Sequence, residues 1–295
     1  MTGVADLRGT LGAAPLERDV LIVSGPEAEE FLQGQLSQDI DAIAVDDSAA
    51  SFLLQPSGKV DAWLRVTRLA DSFLLDLEPG CGEAAAARLR RFKLRTKVEI
   101  DLETWRGTAL RGPGSAAVRT PPGVHRLRAL WPEVEGIDLL GAGPAPAVDV
   151  PDAARGALES LRVELGVPAM GAELTDSTIP AEVGQWVIDA SVSFTKGCYT
   201  GQELVARIDS RGGNVPKPIR SLRGEGGSLA VGADVLAADD GAEVVVGTVT
   251  SSARSARFGA VALAAVRRSV EPGASVTVRG PAGPQPAVVA EPPLR

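Results

Sequence analysis

Between Phe194 and Arg207 the chain reads Phe-Thr-Lys-Gly-Cys-Tyr-Thr-Gly-Gln-Glu-Leu-Val-Ala-Arg, which places one thiol, Cys198, just ahead of a helix start. The pattern Thr200-x-x-Glu203 has the form of a capping box. It predicts that Thr200 accepts the N–H of Glu203 while the Glu203 carboxylate returns to the N–H of Thr200, with Tyr199 and Leu204 as the hydrophobic staple. Unpaired N–H groups at a helix start, the dipole and the nearby Lys196 all favour a thiolate. Gly197 and Gly201 let backbone or ligand approach closely. Two readings of Cys198 stand side by side: a nucleophilic or redox thiol, and the small buried hydrophobe that a lone cysteine often is. Cys81, in Pro79-Gly80-Cys81-Gly82, reads as a turn residue without a role.

The rest of the composition narrows the chemistry. The 295 residues hold two cysteines and one histidine, His125. A closed zinc site or a protein-held iron–sulfur cluster normally takes four such ligands, so no metal site is expected from this chain alone. His125 lies in an apparent strand, Val124 to Leu130, and reads as a structural or surface residue more readily than as a base for Cys198. A net charge of −8 argues against tight, direct nucleic-acid binding and leaves room only for a local basic patch. Such a cluster exists at Arg88, Arg90, Arg91, Lys93, Arg95 and Lys97; it reads first as a solvated face, and second as a surface for an anionic tail. No signal-like segment or membrane-length apolar run is read, which points to a cytoplasmic protein with reduced thiols.

The elements that must position these groups follow from periodicity. Asp19–Val23 reads as a strand, then a helix capped by Ser24 with Pro26 in its first turn and running through Phe31–Leu36. Ala49–Gln55 and Val60–Val66 form a hairpin about Pro56-Ser57-Gly58-Lys59. Ser72–Leu77 is a strand, Glu83–Phe92 a helix and Lys97–Leu102 a strand. A second α+β unit has strands near Thr108–Leu110, Val124–Leu130 and Ile137–Leu140 and a helix from Asp152 to Gly166. From Pro216 the short Val-rich runs read as a small barrel or sandwich, and the Pro- and Ala-rich tail, Pro281–Pro293, reads as loosely ordered at its end. The fold class is α+β, divided as 1–105, 106–215 and 216–295.

The block Lys196-Gly197-Cys198-Tyr199-Thr200-Gly201-Gln202-Glu203 resembles the signature of the YgfZ-type folate-binding proteins, relatives of the glycine-cleavage T-protein, an aminomethyltransferase. Phe31–Asp39, Pro56–Val60, Arg91–Arg95, Arg162–Pro168, Ile179–Glu182 and Ala262–Arg268 resemble further blocks of that family, in order. The resemblance implies two ferredoxin-like α+β lobes and a C-terminal β-barrel, set as a three-lobed ring around a tetrahydrofolate or one-carbon folate. It implies an accessory role in the assembly or repair of iron–sulfur enzymes, including those that modify tRNA, with iron–sulfur client or assembly proteins as partners. Lys196, Cys198, Tyr199, Gln202 and Glu203 would form the reactive motif, and Arg162, Glu164 and Asp61 the folate contacts, with Glu133 or Glu135 as a further acid. The alternative is a folate-dependent aminomethyltransferase or methyltransferase. Ala62 stands where the T-protein carries a second aspartate after Asp61, which weighs against full aminomethyl transfer.

Overall fold

A computed structural model describes residues 6–239 and 242–295. Its largest element is one seven-stranded sheet with strand order β2-β3-β4-β1-β5-β7-β6. The strands are β1 (Gly12–Ser24), β2 (Ser48–Leu54), β3 (Val60–Arg68), β4 (Ser72–Leu77), β5 (Glu99–Arg111), β6 (His125–Arg128) and β7 (Gly136–Gly141). The long strands β1 and β5 pair antiparallel from Gly12↔Arg111 to Ser24↔Glu99 and form the spine. The strands expected at Lys97–Leu102 and Thr108–Leu110 are therefore one continuous element, a correction to the reading. The polar run Glu103-Thr104-Trp105-Arg106-Gly107 looks like an interruption, but its backbone groups are paired to β1, which outweighs its poor strand composition.

Alternation splits the sheet into two faces. On one face Leu21, Val23, Leu64, Val66, Leu75 and Leu77 pack against helices α1 (Ala28–Gln35) and α2 (Gly82–Phe92). The α2 helix buries Ala85, Ala86 and Leu89, and its start is held from outside, since Asp19 Oδ2 accepts the N–H groups of Gly80 and Gly82 at 2.8 Å each. The start of α1 differs from expectation: Ser24 ends β1, and Glu27 occupies the N-cap position without a side-chain cap bond. Gly25, at φ 110°, carries the turn between them, where an added Cβ would meet Lys97 O at 2.4 Å.

The opposite face carries charge. Arg18 on β1, Arg65 on β3, Asp76 on β4, Arg111 on β5 and Asp138 on β7 form one buried line of ion pairs: Arg18–Asp76 at 2.9 Å, Arg65–Asp76 at 2.7 Å, Arg65–Asp138 at 2.8 Å and Arg111–Asp138 at 2.7 Å. Burial alone would raise the Asp138 carboxyl, but Arg111 and Arg65 overcome it and hold it at about 2, below its ordinary 3.8. Burial likewise opposes the Arg65 charge, and Asp76 and Asp138 reverse that and raise its pKa.

Helix α3 (Ala157–Leu165) ends at Gly166 in the left-handed region at φ 66°, as its sequence predicts, but starts later than expected. Asp152 is instead in a parallel bridge with Ala13, extending the β1 edge, and Gly156 is the N-cap. Two short helices follow, α4 (Gln185–Ser191) and α5 (Gln202–Asp209). The last region is a closed six-stranded barrel in the order β10-β11-β8-β13-β12-β9. It comprises β8 (Ile219–Gly224), β9 (Asp234–Asp239), β10 (Ala242–Ser255), β11 (Gly259–Val266), β12 (Ser275–Gly280) and β13 (Gly283–Ala290). The expected α+β class and C-terminal barrel are both present. Most of the Pro- and Ala-rich tail is strand: β13 closes the barrel, with Val289 paired to Leu222, its alternation hidden among prolines, and regular structure stops at Ala290.

Loss of the Asp138 charge removes a partner shared by two buried arginines. Asp138→Ala is expected to destabilise the fold by about 3–5 kcal/mol. Because the folded carboxyl titrates near 2 and not near 3.8, its stabilising contribution is present above the ordinary value and is lost as pH falls through the folded one. Urea unfolding followed through that window should show stability falling with acid, with a shallower slope in Asp138→Asn.

Candidate functional site

Two regions hold the chemistry. The first is the segment that carries the thiol. Cys198 is exposed and free, and among the described residues no hydrogen bond reaches its sulfur. The expected capping box does not form. Helix α5 begins at Gln202 with Gly201 as N-cap at φ 84°, and no side chain caps it. Thr200 instead donates its N–H to Gly34 O at 3.2 Å, and Gln202 Oε1 accepts the N–H of Tyr199 at 3.2 Å. The reason is a close approach. A Cβ on Gly201 would lie 2.5 Å from Gln55 O, and one on Gly58 would lie 2.5 Å from Leu204 Cβ, so the β2–β3 turn is pressed against the start of α5. Glycine at both positions permits it.

Lys196 and Tyr199 turn inward and Glu203 stays exposed. The Lys196 ammonium donates to Gln33 O at 2.7 Å, Leu36 O at 2.8 Å and Gln38 O at 2.7 Å, so all three of its N–H groups are committed to the end of α1. Burial lowers it to about 8, against the opposing pull of Asp39 and Asp41. Its charge also lies 5.3 Å from the Tyr199 ring centroid, and burial pushes the Tyr199 phenol up to about 12. Lys196 is thus a clamp on the loop that presents Cys198. An apolar notch lined by Pro180, Ile188, Phe194, Leu204 and Ile208 flanks the same segment.

The second region is a cavity of about 110 Å³ over the charged face of the sheet, lined by Arg18, Trp63, Arg65, Glu78, Arg111, Trp131, Asp138 and Arg162. It opens into a cleft of about 500 Å³ that shares Leu16, Arg18, Glu78, Trp131, Leu158 and Arg162 with it. Its walls combine aromatic plates with cations: the Arg111 guanidinium lies 4.6 Å from the Trp131 ring centroid, and Trp63 and Trp186 meet edge-on at 6.4 Å. Arg111 is 3% exposed, and its Nε is buried without a partner. Burial raises the Glu78 carboxyl above its ordinary range despite Arg18 and Arg162 nearby. Glu78 accepts the N–H of Met170 at 3.2 Å.

The residues expected to contact a folate separate. Arg162 lines the cavity, but its guanidinium is already spent on Glu159, Glu173, Val167 O and Ser251 Oγ. Glu164 is buried at the back of α3, accepting Ser160 Oγ at 3.3 Å and pairing with Arg8 at 3.5 Å. Asp61 lies in a different groove, paired with Arg88 at 3.2 Å. Glu133 pairs with Arg295, and Glu135 accepts the N–H groups of Gly114 and Ala116, which lower its pKa. His125 stacks on Trp105 with ring centroids 5.1 Å apart. Sequence reasoning missed Trp63, Glu78, Arg111 and Trp131. The available signal was the pair of tryptophans in a chain with four, set beside arginines on β3 and β5.

No family model matches the chain. It is similar to proteins named tRNA-modifying protein YgfZ: 29% identical over 217 residues to that of Edwardsiella ictaluri, covering 65% of each chain, and 25% identical over 222 residues to that of Photorhabdus laumondii, covering 66% of this chain and 65% of the relative. The match therefore spans just under two thirds of the length of these relatives. In three dimensions the chain is similar to the glycine cleavage system aminomethyltransferase T of Bartonella henselae, with a TM-score of 0.76, 20% identity, and coverage of 97% of this chain and 87% of that one. The architecture is thus T-protein-like. These two relatives are YgfZ proteins, the family whose blocks the sequence resembles.

Among the described residues no helix is long and apolar enough to cross a membrane, and no group of three or more histidine, cysteine or acidic side chains is placed to hold a metal. Replacing Lys196 with methionine strands the carbonyls it serves and is expected to cost about 2 kcal/mol in urea unfolding. Cys198→Ala, at an exposed position, is expected to change stability by no more than about 0.5 kcal/mol.

Proposed function

We propose that this chain is a cytoplasmic tetrahydrofolate-binding accessory protein that supports the iron–sulfur enzymes of tRNA modification, with Cys198 as its functional thiol. The observation that carries the reading is the cavity above the charged sheet face: two tryptophans, a raised carboxyl and four arginines converge there, in a T-protein-like fold. The residues fit the ligand. Trp63 and Trp131 offer apolar plates to a flat pterin. Glu78 suits the donor-rich amide and amino edge. Arg18 supplies positive charge at the mouth for the tail carboxylates. When bound, the folate would contribute one-carbon chemistry at its ring nitrogens, and the chain's own part is to hold and orient the ring and exclude water from it.

An accessory role is favoured over aminomethyl transfer by the position of Asp61. It lines a groove separate from the cavity, its carboxylate is engaged by Arg88, and its neighbour Ala62 is buried in the core beneath α1 and α2. The names of the YgfZ relatives support a connection to tRNA modification. The thiol, exposed on its clamped loop, is open to a partner protein.

Calorimetric titration with 5-formyltetrahydrofolate tests the ligand. Wild-type protein should bind saturably and Glu78→Ala at least about tenfold more weakly, since each lost charge-assisted bond is worth about 1.5–3 kcal/mol. A wild-type titration with no heat would end the folate reading. Cys198→Ala separates the two regions. It is expected to bind the folate like wild type and to fail to restore the activity of iron–sulfur tRNA-modifying enzymes in cells lacking the protein.

A further inference from the structure

The end of α2 builds a surface that neither the cavity nor the thiol uses. From Ala84 to Val98 the chain holds six cations, Arg88, Arg90, Arg91, Lys93, Arg95 and Lys97, and no acid, in a molecule of net charge −8. Two are committed: Arg88 pairs with Asp61, and Arg90 donates to Ile100 O at 2.9 Å. Among the described residues the side chains of Arg91, Lys93, Arg95 and Lys97 make no ion pair and no hydrogen bond. Apolar groups stand in water between them, with Phe92 39% and Leu94 83% exposed. The Arg88 guanidinium lies over one face of the Phe92 ring, at 3.7 Å from its centroid. The ring lies at the rim of an open groove of about 580 Å³ that also takes in Gln55, Ser57 and Asp61.

A solvated charged face needs only the cations and gives the exposed phenyl ring no role. An acidic peptide would use the cations and leave the ring idle. Single-stranded nucleic acid uses both, because its phosphates follow a row of uncommitted cations while a base stacks on an exposed aromatic ring. We infer that the end of α2 binds a short single-stranded RNA segment, with Phe92, at the rim of the groove, as the base platform, Arg91 in the groove and Lys93, Arg95 and Lys97 on the chain beyond the helix as the phosphate contacts. The β2–β3 turn on the same groove packs on Gly201 and Leu204, so the RNA would lie alongside the segment that carries Cys198. The acidic remainder of the chain keeps this binding weak and strongly dependent on salt. It requires no folate and stands apart from the cavity.

The test is fluorescence anisotropy of a labelled oligouridylate of about twelve nucleotides with the full chain, without folate, across a salt series. Four neutralised phosphates on a single strand give a log–log salt slope of about −3. Phe92→Ala should weaken binding ~10-fold with the slope retained, because it removes stacking and no charge. The double variant Arg91→Gln, Lys97→Gln should flatten the slope by about 1.4. All of these positions are outside the core, and unchanged thermal melting confirms the fold of each variant. Absence of saturable binding at low salt, or a wild-type affinity and slope in these variants, would overturn the assignment. So would competition by oligoglutamate as effective as by unlabelled oligouridylate, which would give the surface to an acidic protein partner.

Discussion

The buried line of charge across the sheet is the constraint on which the rest of this structure depends. Arg65 and Arg111 share Asp138, and Arg65 and Arg18 share Asp76, so five strands contribute one residue each to a single network. A buried ion pair is costly to desolvate and is offset only by close geometry with every partner in place. The network therefore ties the β2–β3–β4 side of the sheet to the β5–β7 side more strictly than apolar packing could. It also denies the face to a packed helix and leaves it as the floor of a cavity. Trp131 is held above Arg111, and α3 forms the wall that joins the cavity to the barrel through Ser160, which donates to Arg254 O, and through Arg162, which donates to Ser251 Oγ.

What could be read from the sequence follows from where information is local. The β2–β3 hairpin, β4 and α2 are legible because their alternation, turn residues and alanine-rich helix face lie within a few residues of one another. The end of α3 at Gly166 is legible for the same reason. The charged floor is not, because its pairs are distant in sequence: Arg65 is 73 residues from Asp138, and Arg111 is 27. Each reads alone as an ordinary polar position on a half-exposed strand. Only the strand order brings them together. The thiol motif shows the converse error. Thr200-x-x-Glu203 has the local form of a cap, yet the packing of Gly58 and Gly201 moves the helix start to Gln202, so tertiary contact overrides a sound local rule.

The two candidate regions are separate but in contact. Trp63, on the cavity wall, donates its indole N–H to Ser191 Oγ at 2.9 Å, and Ser37 Oγ donates to Ser191 O at 2.6 Å. Ser37 stands between Leu36 and Gln38, whose carbonyls receive the Lys196 ammonium. The loop that presents Cys198 is therefore hung from the same segment that braces the cavity wall. The four residues Leu36, Ser37, Gln38 and Ser191 carry no chemistry themselves, and their role is to fix one region with respect to the other.

The central claim is that the cavity between the tryptophans takes a folate, and tryptophan emission reads it most directly. Trp63 and Trp131 line the cavity, Trp105 stacks on His125 away from it, and Trp186 touches Trp63 edge-on. Titration with 5-formyltetrahydrofolate, corrected for absorption, should quench emission saturably. The quench should persist in Trp105→Phe and be lost in Trp131→Phe combined with Trp63→Phe. A saturable quench that survives in that double variant, or none in the wild type, would contradict the assignment of the cavity.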